Sequence, residues 1–423
     1  MAIKGGGVGV SHAVELVMGR YRPWVYTLAL LLALISEGYD LQAANFAAPA
    51  IVQALGISKA QVGPLLSASL LGVLFGAALI GPSGDRWGRK RLIIGGCLAY
   101  GVLSLAAAYA TTLSQLILLR FLIGLGLGGV LPNALALASE LARPGGEATA
   151  AGLIGIGITF GGVVAGLTSA ALLPRYGWPS VFMVGGLLPL LIVLLLQPLL
   201  PASPAFAADE QTAGRSWALP GPAPLFRHGA AGKTMAIWLI FIAVLMCVYL
   251  LSGWIPLLLN QSGFSQRSAA LLGTAYQAGG VAGGIAASLL LARRGWDVVA
   301  LFAAMACLTL ATLVLGLKST PSLALGVIVA GFCVTGTQNA INGAGGASYS
   351  TGIRSSGLGW ALGVGRLGSI AGPLVGSLAV LLGMKEARHL FALPLLPLAI
   401  AGLVALWLGR RVSFQSAEFR PLG

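Results

Sequence analysis

Glu37 and Asp40 stand three residues apart in the first long apolar stretch, LALLLALISEGYDLQAANFAAPA, of a chain with only 11 acidic residues in 423. A carboxylate at bilayer depth costs roughly 2.5–3.5 kcal/mol even on a lenient insertion scale. Such a group is tolerated where it faces a protein interior or a wet cavity, and there it handles a proton, an ion or a substrate. Residues i and i+3 share a helix face, so both carboxyls can point into one cavity. Burial and mutual repulsion disfavour ionising both together, which suits the pair to carrying a proton. Two basic residues share this apolar setting, Arg120 and Arg366. A guanidinium grips a carboxylate in a two-pronged fork. Four charges of this kind point to movement of protons and organic anions.

The elements that hold them are set by composition. The chain is 57% hydrophobic and 9% charged, with mean hydropathy +0.92, whereas soluble domains carry about 25% charged residues. Lipid is therefore the main solvent. The 62 glycines follow no collagen-like period; in membrane helices small residues let backbones approach closely. A net charge of +14 would suit nucleic acid, but the charges sit in short loops between apolar runs, where no basic face can form, so nucleic-acid binding is excluded. Cys97, Cys247, Cys307 and Cys333 fall in four different apolar runs without a CxxC pair, and His12, His228 and His389 lie outside the runs or at their ends. Neither a disulfide framework, nor a metal centre, nor a nucleophile–base pair of an enzyme is expected.

A helix needs about 20 apolar residues to cross a bilayer. Twelve such runs are expected, at 24–47, 61–82, 91–110, 113–137, 149–172, 178–200, 235–259, 266–291, 296–317, 321–345, 356–382 and 388–409. The first is too long for a cleaved signal core, so it is expected to be retained. With both termini cytoplasmic, seventeen basic residues fall on the inner side and six on the outer, which sets the orientation by the positive-inside rule. The polar stretch 201–232 reads as a cytoplasmic linker between halves 1–200 and 233–423. The halves echo each other: GPSGDRWGRKR has a weaker counterpart in ARRGWD, and spans five and eleven are both threaded with glycine. Repeats of this kind place a site at the midplane between two bundles.

Gly81, Asp85, Arg86, Gly88, Arg89 and Lys90 match a loop signature, G-x-x-x-D-R-x-G-R-[KR], that resembles the one of the major facilitator superfamily. The resemblance implies an all-α integral membrane fold of twelve transmembrane helices in two six-helix bundles, and a loop that latches a cytoplasmic gate. RFLIGLGLGG resembles the fourth helix of that superfamily, with Arg120 as its charge and Gly124, Gly126 and Gly128 for close packing. Arg120 and Asp40 match in depth, so Arg120 can meet Asp40 or Glu37. EGYD resembles the D-G-[FY]-D first-helix motif of the aromatic acid/proton symporters, with Glu37 in place of the first Asp, and looks most like the branch that moves hydroxyphenylpropionate-type acids. SSGLGWALGVGRLGSIAGPLVG resembles the eleventh helix of that family, with Arg366 at its charged position.

Asp40 and Glu37 are thus expected to carry the proton, Asp40 first. The substrate site is expected to draw on Arg120, Arg366, Tyr39, Asn133, Tyr249, Tyr276, Gln277, Gln338, Asn339 and Asn342. The resemblance implies import of a small aromatic carboxylate (hydroxyphenylpropionate-, benzoate- or hydroxybenzoate-like) with protons by a monomer in a bacterial inner membrane, with no cofactor but the proton gradient. Alternatives are a drug/proton antiporter and a membrane sensor of aromatic acids. The segment PASPAF after span six lacks charges common in the family, and GITFGGVVAG lacks the proline of many antiporters, which disfavours that mode.

Overall fold

The structure is a computed structural model; it describes residues 22–143, 146–201, 221–226, 230–316, 320–350, 353–384 and 386–411. Residues 202–220 and 227–229 of the expected linker, and both chain ends, lie outside the described residues. The long helices are α1 (Arg22–Leu55), α2 (Val62–Leu79), α3 (Arg89–Ala107), α4 (Leu113–Gly128), α5 (Val130–Leu141), α6 (Glu147–Tyr176), α7 (Pro179–Leu199), α8 (Ala231–Gln261), α9 (Gln266–Arg294), α10 (Trp296–Leu315), α11 (Thr320–Ala347) and α12 (Arg354–Leu381), followed by α13 (Ala387–Ala392) and α14 (Leu395–Arg411). Each expected span meets a helix or a broken helix. The fourth is split into α4 and α5 beside Pro132, whose ring nitrogen cannot donate to the Gly128 carbonyl. The last is split between α13 and α14 at Pro394. Among the described residues eleven spans are long and apolar enough to cross a membrane; α9, with 29 residues, is as long but richer in small residues.

Helix packing rests on glycine. A Cβ on Gly124 of α4 would run into the Ser69 carbonyl of α2, and one on Gly38 of α1 into the Ile158 carbonyl of α6. The second half repeats both pairings: Gly283 of α9 lies on the Phe332 carbonyl of α11, and Gly368 of α12 on the Ile242 carbonyl of α8. Small residues thus supply the van der Waals contact that drives helix association in lipid. Leucines such as Leu194, Leu289 and Leu403 stay about 70% exposed on the outside, an apolar belt that only lipid can cover.

One end of the bundle carries the basic loop. There Gly81–Ser83 and Gly84–Trp87 form two tight turns, and Gly88 ends them at φ +87°, a conformation that favours glycine. Lys90 Nζ donates to the Gln197 carbonyl at 2.8 Å and to the Leu200 carbonyl, neutralising the negative end of α7. Arg89 pairs with Glu140 at 2.6 Å. At the opposite end the halves are stitched together. Gly63 N donates to Ser377 Oγ at 2.8 Å, Ser67 Oγ to the Ile370 carbonyl at 2.8 Å, and Gln266 Nε2 to Gln53 Oε1 at 3.1 Å. Gly166 packs on Thr274 and Gly273 on Phe46. We call this closed end the seam.

Candidate functional site

The four intramembrane charges divide into two unlike sets. Asp40 and Arg120 form a closed ion pair inside the first half. Arg120 donates one guanidinium nitrogen to Asp40 Oδ2 at 2.7 Å and to the Asp40 carbonyl at 3.1 Å. Ser104 Oγ of α3 donates to Asp40 Oδ1 at 3.0 Å. The guanidinium carbon lies 5.9 Å from the Phe182 ring centroid. Side-chain exposures of 1% and 0% for Arg120 and Asp40 keep water out. Depth matching in the sequence allowed either carboxyl as Arg120's partner; rotation around α1 selects Asp40.

Glu37, one turn away, is 1% exposed, and its Oε2 has no hydrogen-bond partner among the described residues. Arg366 on α12 acts on it electrostatically without forming an ion pair. Arg366 is half-buried, and its guanidinium donates to Tyr249 Oη at a long 3.4 Å. One carboxyl and one guanidinium therefore remain uncommitted where the two halves meet.

Helix register fixes the level of this second set. Asn45, Leu66 and Gly253 touch within the seam, and Ile370 meets Ser67 there. Gln42, Tyr249 and Arg366 lie three or four residues from these contacts toward the basic end, about one turn. Gln277 lies likewise below Thr274, and Gly162 below Gly166. These side chains form a polar ring immediately beneath the closed seam. Arg366, Tyr249 and Gln42 are each partly exposed on the basic-end side of the seam.

Several residues expected at the substrate site lie elsewhere. Tyr39 Oη donates to the Val181 carbonyl at 3.1 Å, inside the first half. Asn133 Nδ2 donates to the Gly129 carbonyl at 2.7 Å and the Gly81 carbonyl at 3.2 Å, tying the basic loop to the break between α4 and α5. Tyr276, 1% exposed, sits in the second half's core among Cys247 and Cys333. These three thus have packing and tethering contacts within one half. Arg120 is engaged by Asp40. Gln338, Asn339 and Asn342 are half-buried on α11; Asn339 abuts Gly284, seven residues beyond Gln277 on α9, so they lie about 10 Å nearer the basic end than the ring. Ser104 and Gln42 were not singled out in the sequence. Ser104 left no signal there; Gln42, an amide two residues past Asp40 in an apolar run, did.

The profile of the Major Facilitator Superfamily matches residues 30–361. The chain belongs to that superfamily. Within it, the chain is 35% identical over 412 residues to the 4-hydroxybenzoate transporter PcaK of Pseudomonas putida, covering 91% of this chain and 92% of that one. It is 38% identical over 360 residues to the 3-(3-hydroxy-phenyl)propionate transporter of Escherichia coli, covering 84% and 86%. These relatives place it in the aromatic acid family of major facilitators and make it a transporter, not an enzyme. Its fold is similar to the nucleoside transporter NupG, with TM-score 0.74, 19% identity and coverage of 90% and 99%. A bacterial homolog of the lysosomal transporter Spinster in an inward-facing, occupied conformation gives TM-score 0.72 at 20% identity, covering 94% and 98%.

Proposed function

We propose that this transporter imports aromatic carboxylates together with protons, and that the basic end faces the cytoplasm. The observation that carries the reading is the uncommitted pair beneath the seam, Glu37 with an unpartnered oxygen and Arg366 held only by a long bond to Tyr249. An ionised Glu37 attracts Arg366 and competes with any substrate anion for it. A proton on Glu37 removes that competitor and leaves the guanidinium to the substrate carboxylate, which it grips in a fork. Proton and anion thus favour the same loaded state, as coupling requires, since a ligand shifts an equilibrium only by its differential affinity. The main proton carrier accordingly moves from Asp40, whose oxygens are engaged by Arg120 and Ser104, to Glu37. The two transporter relatives support the substrate class: their names specify hydroxylated aromatic acids.

With the excess of basic residues placed inside, the seam is the outer gate, and the conformation is inward-open. The rocking cycle then opens the seam and closes the basic end, where Gly81, Asp85, Arg86, Gly88, Arg89 and Lys90 form the cytoplasmic gate. The test is uptake of labelled 4-hydroxybenzoate, benzoate and hydroxyphenylpropionate into cells or proteoliposomes under an imposed pH gradient. Accumulation that collapses with an uncoupler supports the proposal. Uptake of no aromatic acid, or uptake indifferent to the gradient, overturns it; efflux driven by inward protons would instead mark an antiporter.

A further inference from the structure

Gln277 of α9 is 6% exposed and forms no hydrogen bond with another described residue. Its amide nitrogen sits over Gly162 of α6: a Cβ built there would lie 2.6 Å from Gln277 Nε2 and 3.2 Å from Gln42 Cγ. Gln42 Oε1 accepts a hydrogen bond from Asn45, which orients the Gln42 amide and leaves its N–H groups as donors. Two glutamines, one from each half, therefore converge over the Gly162 backbone, which the Gln277 amide packs against because no methyl group stands there. They lie on the same level as Arg366, in the polar ring beneath the seam.

We propose that Gln277 and Gln42 form a specificity subsite that hydrogen-bonds a ring hydroxyl of the substrate while Arg366 holds its carboxylate. The inference rests on the aromatic carboxylate reading and deepens it to ring-hydroxylated acids. A phenolic hydroxyl both donates and accepts, and the Gln277 amide offers both complements. The ring lies between the two anchors. Because Gln42 and Gln277 come from opposite halves, a hydroxyl bonded to both also favours the closed seam.

The experiment compares subsaturating uptake of 4-hydroxybenzoate and benzoate by the full chain in proteoliposomes, normalised to protein. The native protein is expected to favour the hydroxylated acid. Gln277→Leu is expected to lower that preference by about three- to tenfold, the range of one net hydrogen bond, through a rise in KM for 4-hydroxybenzoate that exceeds any change for benzoate. Gly162→Ala, which displaces the flexible amide without removing it, is expected to move the ratio in the same direction. An unchanged ratio in both variants, or equal loss of both acids in both, overturns the subsite while the import reading stands. A native protein that moves neither acid overturns the reading and the subsite together.

Discussion

Asp40 and Glu37 lie one helical turn apart on α1, and their surroundings could hardly differ more. Asp40 is locked to Arg120 and Ser104 within one half. Glu37 has an oxygen without a hydrogen-bond partner among the described residues, and Arg366 of the other half acts on it electrostatically. A charge neutralised inside a single rigid unit has the same partner in every state of a rocking cycle. A charge whose counterpart belongs to the other half changes its surroundings when the halves move. We propose on this ground that the first set serves architecture and the second coupling.

The contrast is broken most severely at the locked pair. Arg120→Ala strands the Asp40 carboxylate without its cation in a dry interior, and losing one member of such a pair costs about 3–5 kcal/mol. Thermal unfolding in detergent is expected to show a large loss of stability, and transport of every substrate falls with it. The double variant Asp40→Asn, Arg120→Met removes both charges and is expected to recover much of that stability. If Arg120→Ala unfolds like the native protein, the pair is not structural.

Arg366→Ala is expected to do the opposite. Among the described residues its guanidinium makes only the long bond to Tyr249, so unfolding moves little, while uptake drops by about a hundredfold or more, the cost of losing a charge-assisted double hydrogen bond. Binding of 4-hydroxybenzoate followed by thermal shift separates the two effects: the native protein is stabilised by mass action, and the variant is not. A variant with native uptake removes Arg366 from the substrate site.

The smallest effect belongs to the seam. Ser377→Ala deletes the acceptor of the Gly63 N–H, worth about 0.5–1.5 kcal/mol. Because that bond exists only with the seam closed, the change tilts the population toward the outward-open form. A cysteine probe placed beneath the seam is expected to react several-fold faster with an external thiol reagent. No change in reactivity would show that the bond does not bias the gate.

Much of this was legible in the sequence, for a physical reason. Charges in apolar runs are few and costly, so Glu37, Asp40, Arg120 and Arg366 stood out, and depth along the helices brought Asp40 level with Arg120. Rotation about each axis was not legible. It depends on which glycine faces meet, such as Gly38 on Ile158 and Gly283 on Phe332, and contacts between distant segments leave no local pattern. That rotation decides that Asp40 takes Arg120 and Glu37 does not, and it turns Tyr39 and Tyr276 inward. The Asn133 contacts at the helix break were not legible either, because an amide that caps carbonyls there has the same composition as one that binds a ligand. The seam serines, Ser67 and Ser377, are ordinary residues in apolar helices and carried no warning.

The assignment of Glu37, and not Asp40, as the coupling carboxyl is tested most directly by Glu37→Gln in proteoliposomes. The neutral amide mimics the protonated carboxyl and keeps Arg366 free for substrate. The variant is expected to exchange labelled for unlabelled 4-hydroxybenzoate at close to the native rate, yet to build no gradient of it under an imposed pH difference. Native accumulation driven by that pH difference in Glu37→Gln would contradict the assignment.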